Sequence, residues 1–425
     1  MALIRAMNAG VSGLRSFQTK MDVIGNNIAN VETAGFKSSR VSFAELMSQN
    51  IGRSDSGGDS SPQMDNQVGL GVRIASIDRD FTQGVMTNTG RTTDLAIEGE
   101  GYFMVKGESE SFMTRAGNFV FNKYGQLVDQ GGRAVQGYNA EGDTGVRSGG
   151  SLENIEIDFE KVLEPSETGE VNLGGNFAGE EGDIRTVSTT IYDSLGNAHS
   201  LIVEFEKMEN GEDNEWGYEV KFPDTDDPEV DVPADRAGTV KFDSDGKLIE
   251  NDDNYDTGIE VQGFDPESGA GEMDFDINFG SGDHGSGITH YAGSNTAKVL
   301  SQDGHAEGQL LDIEIDGEGR IRGIYDNGQN QAEAQIAIAQ VQNENGLEML
   351  GGGLFRTTSA AGEQFISTAE DIAGTLINSG SLEGSNVDLA NEFTEMITSQ
   401  RAYQSNARVI STSDEMLMEA VNLKR

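Results

Sequence analysis

The sequence predicts a multidomain protein with an α-helix at each end and a mainly β region between them. Apolar residues recur at helical spacing over residues 3–31 and again after residue 385. Between these segments, apolar residues alternate with polar ones and are separated by Gly, Asn and Asp, which is typical of β-hairpins. A chain of 425 residues is also too long for one ordinary hydrophobic core.

The first predicted helix carries one apolar stripe. Its apolar residues follow each other in steps of three or four: Leu3, Met7, Val11, Leu14, Phe17, Met21, Ile24, Ile28 and Val31. Such spacing places them on one face of an α-helix. Gly10 and Gly13 each cost the helix about 1 kcal/mol relative to Ala, so we expect it to need a partner.

The stretch GNNIANVETAGFK, residues 25–37, follows this helix and is rich in turn residues. Asn side chains bond to nearby backbone groups where a helix ends. Thr33 and Gly35 allow a sharp exit, and Gly35 suits a positive φ. Phe36 is expected to anchor the exit in an apolar niche.

The middle of the chain contains several predicted hairpins, among them residues 189–207, 239–250 and 310–329. The segment FDSDGKL, residues 242–248, resembles a calcium-binding loop only in part, because it lacks the remaining ligands and the distal Glu. We therefore interpret it as a turn.

The last predicted helix carries a heptad seam. Steps of four and three alternate along the following residues: Leu389, Phe393, Met396, Gln400, Tyr403, Ala407, Ile410, Asp414, Leu417 and Val421. Ser385 or Asn386 is the expected N-cap, and Asp388 suits the first turn. An ordinary core-facing helix would show a similar stripe. Because both ends carry matching stripes, we favour a coiled coil, either within one chain or between subunits.

Charge divides the chain and excludes some functions. The net charge is −44, and residues 141–284 hold 39 acidic and 8 basic side chains, a net −31. Nucleic-acid binding is not expected because phosphate contacts need Lys and Arg. A hydrated outer surface, or one that binds cations, explains the acidity. The sequence contains no run of 18 apolar residues, so no membrane-spanning helix is predicted. The first residues lack the apolar core of a cleavable signal peptide.

Catalytic and metal motifs are not found in the sequence. It contains no Cys, only four His in no metal-ligand spacing, no GxSxG and no P-loop. We therefore predict no enzyme activity, no catalytic residue, no cofactor and no metal site.

Four segments together resemble the flagellar rod and hook proteins, the axial proteins of the bacterial flagellum. They are residues 25–37; TTDLAIEGEGYFMV with TRAGNFVFNKYGQLVD (92–105 and 114–129); QIAIAQVQNENGL with GGGLFRTTSAAG (335–347 and 351–362); and SNVDLANEFTEMITSQRAYQSNARVISTSDEML (385–417). The length that the acidic insertion adds favours the hook branch of the family, and TIYDSLGNAHSL (190–201) resembles the outer region of that branch. The rest of the insertion departs from the family pattern.

The resemblance implies a nested architecture. Residues 1–70 and 361–425 would form a coiled-coil inner layer with its connecting segments. Residues 71–144 and 285–360 would form a discontinuous inner β domain, and residues 145–284 an outer acidic β domain. The implied subunit-interface residues on the inner helices are Leu14, Phe17, Met21, Ile24, Asn26, Asn27, Ile28, Asn30, Phe393, Met396, Tyr403, Ile410, Leu417 and Val421. Thr33, Gly35 and Phe36 would form the helix exit turn.

The implied function is structural. The chain would polymerise with itself into a curved, flexible tube, the extracellular hook that joins the rod to the filament and transmits torque as a universal joint. Implied partners are rod proteins, the hook cap protein, the hook–filament junction protein and the type III export apparatus, which requires no cleavable signal. Alternatives are a distal rod protein, or a secreted acidic β-rich adhesin with a coiled-coil stalk.

Overall fold

A computed structural model describes residues 2–46, 48–50, 67–108, 110–140, 150–179, 182–208, 214–223, 237–249, 256–266, 268–280 and 287–422. These residues confirm a helix at each end, α1 (Ala2–Ala29) and α2 (Leu389–Asn422), and a mostly β body. Neither described helix is long and apolar enough to cross a bilayer. A 3₁₀ turn, Glu344–Gly346, lies in the β body.

The β body is built from short strands. In chain order the described strands are β1 Ser39–Glu45, β2 Ser48–Asn50, β3 Gln67–Gly69, β4 Val72–Arg79, β5 Met86–Asn88, β6 Leu95–Glu98, β7 Tyr102–Lys106, β8 Ser111–Thr114, β9 Val120–Phe121, β10 Leu127–Val128, β11 Ala134–Asn139, β12 Glu153–Asn154, β13 Val162–Leu163, β14 Glu170–Asn176, β15 Ile184–Tyr192, β16 Ala198–Lys207, β17 Glu215–Lys221, β18 Ala237–Lys241, β19 Gly258–Phe264, β20 Met273–Asn278, β21 Ile288–Thr289, β22 Lys298–Gln302, β23 Gly308–Ile315, β24 Arg320–Tyr325, β25 Asn330–Ile336, β26 Ile338–Val341, β27 Glu348–Gly351, β28 Leu354–Arg356, β29 Gln364–Ser367, β30 Leu376–Ser379 and β31 Ser381–Glu383.

The first compact unit comprises residues 1–158, 313–322 and 331–425. Strand β7 is central: it pairs with β8, β11 and β26, all antiparallel. The first four side chains of β7, residues 102–105, are buried on both faces, as in a strand covered on both sides. Tyr102 and Phe355 meet edge to face in this core, with ring centroids 5.6 Å apart.

The second unit comprises residues 159–312 and 323–330. One sheet has the antiparallel order β15-β16-β17-β18; another has the order β19-β20-β14-β21, with β22 also paired to β14. Along β16, His199, Leu201, Val203 and Phe205 are buried while their neighbours are exposed or half-buried, so the alternation in sequence marks the core face. Aromatic residues pack together in this core, with the rings of Phe177 and Trp216 5.5 Å apart.

The two units differ from the domain division expected from sequence. The boundaries at 144/145 and 284/285 lie outside the described residues. Strands β21 and β22, expected in the inner β domain, pair instead with β14 of the second unit. This unit therefore continues well beyond residue 284.

Five hairpins share one turn design. In each, an Asn or Asp side chain accepts hydrogen bonds from the backbone N–H groups two and four residues later, and the fourth residue is a Gly with φ between 76° and 80°. The turns begin at Asn122, Asp129, Asp193, Asp243 and Asp316. The Asp243 turn is the segment FDSDGKL, and its carboxylate braces backbone N–H groups.

Candidate assembly interface

Helices α1 and α2 lie side by side and run antiparallel. Gly10 of α1 lies against Ile410, whereas Lys20 Nζ pairs with Glu395 at 3.0 Å and Asn27 Nδ2 donates to Glu392 Oε1 at 2.9 Å. The contacting residue numbers on α2 fall as those on α1 rise, so the two helices run antiparallel.

Small residues line the contact between these helices. A Cβ atom on Gly13 would lie 2.8 Å from Asn406 Nδ2, and one on Gly10 would lie 3.1 Å from Ile410 Cγ1. Ser16, Ser399 and Ser413 are almost fully buried. Within the described residues, the Ser399 hydroxyl has no hydrogen-bond partner. The two glycines that weaken α1 as a helix therefore allow α2 to approach it closely.

The predicted seam of α2 meets α1 only in part. Phe393, Tyr403 and Val421 are 50, 36 and 67% exposed, and Leu389 is also exposed. Met396, Ile410 and Leu417 are half-buried. We call Leu389, Phe393, Tyr403 and Val421 the apolar stripe of α2. Further exposed apolar residues on this helix, outside the predicted seam, are Ile397, Val409, Met416 and Met418.

Part of the apolar stripe of α1 contacts the β1–β4 ribbon. Phe17 contacts Phe43 of β1, with ring centroids 5.6 Å apart. Ser12 Oγ accepts a hydrogen bond from Val72 N–H at the start of β4. Ile24 is buried, and Leu14, Met21 and Ile28 are half-buried. The antiparallel β1–β4 ribbon thus covers part of the apolar face of α1.

The three asparagines of the exit segment bond within the chain. Asn27 is buried; its Nδ2 donates to Ser39 O at 2.8 Å, and its Oδ1 accepts from Ser39 N–H at 3.0 Å. Asn30 Nδ2 donates to Asn26 O, and Thr33 Oγ1 donates to Asn30 Oδ1. Asn27 therefore joins α1, β1 and, through Glu392, the start of α2.

Gly35 makes the turn out of the helical layer. Its φ is +68°, and a Cβ atom there would lie 2.6 Å from Ala116 N. Its N–H donates to Glu383 O at 2.8 Å. Phe36 follows and is buried. A side chain at position 35 would therefore be strained and would collide with the backbone of the β body.

A buried ion cluster lies next to this turn. Lys37 Nζ is 2.8 Å from Glu383 Oε1 and donates to Thr82 O, and Arg115 Nη1 is 3.4 Å from Glu383 Oε2. All three side chains are at most 4% exposed. Burial lowers the pKa of Lys37, and its hydrogen bond to Glu383 opposes this shift. Sequence reasoning missed the cluster, although Lys37 and Arg115 lie inside the motifs 25–37 and 114–129.

The start of α2 also differs from expectation. Asp388, not Ser385 or Asn386, caps the helix: its Oδ1 accepts from Ala390 N–H at 2.9 Å and from Asn391 N–H at 3.3 Å. Asn386 instead accepts from Ser38 N–H and donates to Asp80 O. It thereby ties the chain before α2 to the end of the β1–β4 ribbon where β1 begins and β4 ends.

Four family models match the chain in order. They are "Flagella basal body rod protein" over residues 7–37, "Flagellar hook protein FlgE/F/G D1 domain" over 96–173, "Flagellar basal body protein FlaE D2 domain" over 180–305 and "Flagellar basal body rod FlgEFG protein C-terminal" over 378–423. The chain is 35% identical to the flagellar hook protein FlgE of Treponema pallidum over 472 aligned residues, covering 100% of each chain. The chain belongs to the flagellar hook protein family.

Two further relatives and one solved structure are similar to this chain. The FlgE hook protein of Salmonella typhimurium is 34% identical, covering 99% of this chain and 100% of its own. The basal-body rod protein FlgG of Bacillus subtilis is 28% identical, covering 100% of each. The crystal structure of Helicobacter pylori hook protein FlgE2 matches 70% of this chain and 100% of its own at 14% identity, with a TM-score of 0.49.

The chain is therefore a structural subunit of the bacterial flagellar hook, as its motifs predicted, and the rod and adhesin alternatives are not favoured. Family membership implies polymerisation with itself in the basal body and hook. Within the described residues, no group of three or more His, Asp or Glu side chains is placed to hold a metal ion.

Proposed function

We propose that this hook subunit assembles into a curved, flexible tube in which α1 and α2 form the inner layer, and that the tube links rod to filament and transmits torque as a universal joint. The main support for this proposal is the exposed apolar stripe of α2. Large apolar side chains such as Phe393 and Val421 face solvent in the single chain, and a second copy would remove them from water.

The predicted seam of α2 has the alternating spacing of a coiled coil. Its residue Ile410 lies against α1, whereas the four residues of the apolar stripe stay exposed beside that contact. A helix can pack against its own chain with one face and against a neighbouring copy with another. The interface residues expected on α2 that remain exposed, Phe393, Tyr403 and Val421, belong to the second face.

The acidic second unit suits an outer position. Residues 159–312 hold 37 acidic and 8 basic side chains, a net −29. Such surfaces stay hydrated and repel each other, so contacts between outer units exchange at low cost as the tube bends. Strong contacts between inner helices would then hold the subunits together.

Proposed partners follow from a position between rod and filament: rod proteins, the hook cap protein and the hook–filament junction protein. We further propose export through the flagellar type III apparatus without a cleavable signal peptide. Electron microscopy of the purified chain tests the assembly itself. Curved tubes are expected; a protein that stays monomeric, or forms discrete trimers, would contradict the proposal.

A further inference from the structure

The five matching turns differ at their third residue, which lies at the tip. Gly131, Asp245 and Glu318 occupy this position in three turns, as expected for a site facing water. Tyr124 and Leu195 occupy it in the other two, and their side chains are 65 and 60% exposed. A single exposed apolar residue is ordinary. The other three turns, however, show that this position does not require an apolar side chain.

The turn that carries Tyr124 is held rigidly. Asn122 Oδ1 accepts from Tyr124 N–H at 2.8 Å and from Gln126 N–H at 3.1 Å. Gly125 has a φ of 78°, and a Cβ atom on it would collide with Ile157 O. The tip therefore presents its side chains from a fixed backbone, which lowers the entropy lost on docking.

Lys123 lies over the ring of Tyr124, with its Nζ 4.6 Å from the ring centroid. Within the described part of the chain, Lys123 forms no ion pair, although acidic residues outnumber basic ones 73 to 29. The tip thus combines an ammonium group with an aromatic ring and has no carboxylate partner of its own.

A row of carboxylates lies on the exposed face of one sheet in the second unit. Asp276 of β20 stands opposite Glu260 of β19 on one side and Glu170 of β14 on the other. All three are exposed, and none is paired with a Lys or Arg of the described residues. Opposed residues on neighbouring strands lie about 5 Å apart, so like charges there repel each other.

We propose that Lys123 and Tyr124 of one copy dock on the row Glu260–Asp276–Glu170 of a second copy. The proposal rests on assembly of the chain into a homopolymer and adds a specific contact to it. The Lys123 ammonium group would relieve the repulsion among the three carboxylates, and the exposed ring of Tyr124 would be removed from water against the same sheet face. Leu195 lacks this chemistry because its turn, residues 193–197, contains no Lys or Arg.

A charge swap tests the contact on the purified full chain. The critical concentration for tube formation is measured by sedimentation at about 0.1 M and about 1 M salt, where the Debye length is about 10 Å and about 3 Å. Lys123→Glu and Asp276→Lys should each raise it about tenfold at the lower salt, and less at the higher. The double variant should return close to the wild-type value.

Tyr124→Ser should raise the critical concentration at both salt concentrations, because its contribution is apolar. Glu318→Ser, at the same position of a matching turn, is the control and should have no effect. Unchanged thermal unfolding of each variant monomer shows that folding is intact. Tubes that form equally well from all variants, or a double variant no better than the single ones, would overturn this contact while leaving homopolymer assembly in place.

Discussion

Replacing Glu383 with Gln should loosen the junction between the helical layer and the β body. The substitution leaves Lys37 and Arg115 buried without their shared carboxylate. Removing one partner of a buried ion pair costs about 3–5 kcal/mol. Because both cations keep backbone carbonyl acceptors, from Thr82, Ile97 and Gly99, we expect the lower end of that range.

Hydrogen exchange measures this effect locally, which suits a protein with two compact units. Gly84 N–H donates to Glu383 Oε1 and Gly35 N–H to Glu383 O. A loss of about 3 kcal/mol should lower protection of these amides about a hundredfold. Glu219→Gln, which removes an exposed partner of Lys221, is the matched control and should change protection little. Equal protection in both variants would refute the role of the cluster.

The Glu383→Gln effect should also depend on pH. The pKa of Lys37 lies below its usual value of 10.5 because of burial, and Glu383 opposes this shift. Without Glu383, the pKa should fall further. Because the pKa of Lys37 is lower in the folded chain, the unfolded chain binds more protons than the folded one at pH values between the two pKa values. Stability therefore rises with pH up to the usual pKa of 10.5. The destabilisation should therefore shrink as the pH is raised above neutrality, and a constant loss would show that Lys37 is not involved.

Other predictions concern the helices and salt. Gly13→Leu should separate α1 from α2 and increase proteolysis of both ends of the chain. Gly25→Leu is the control, because the space around Gly25 is open. Equal proteolysis of the two variants would show that close approach at Gly13 does not hold the helices together. Phe393→Ser should leave monomer unfolding unchanged but block tube formation, whereas Ile410→Asp should impair both, since Ile410 lies against Gly10. Tubes should dissociate more readily at low salt, because the Debye length grows from about 8 Å at 0.15 M to about 30 Å at 0.01 M; stability independent of salt would show that the acidic units do not repel.

The elements with strong periodicity were predictable from the sequence. Both terminal helices and the hairpin around Asp193 follow directly from apolar spacing and turn residues. The Asp388 cap was harder to assign because Ser385, Asn386 and Asp388 are all good capping residues. Only the hydrogen bonds of Asn386 to the β1–β4 ribbon show that it is used elsewhere.

The pairing of the helices could not be read from the apolar stripe. Periodicity identifies a face that avoids water but not its partner. The close contacts of α1 with α2 are made at Gly10 and Gly13, which lie against Ile410 and Asn406. Small residues give a weak sequence signal because glycine also suggests a poor helix. The Lys37–Glu383–Arg115 cluster was missed for a related reason: its members are 346 and 268 residues apart along the chain.

The central claim is that the apolar stripe of α2 is covered by a neighbouring copy in the tube. The chain contains no Cys, so a single Phe393→Cys substitution provides a unique thiol. Its rate of alkylation is measured in monomer and in tubes, with Ser194→Cys at an exposed turn of the second unit as the control. We expect Cys at position 393 to react readily in the monomer and to be protected in tubes, while position 194 stays reactive in both. A thiol at position 393 that reacts as fast in intact tubes as in the monomer would contradict the account.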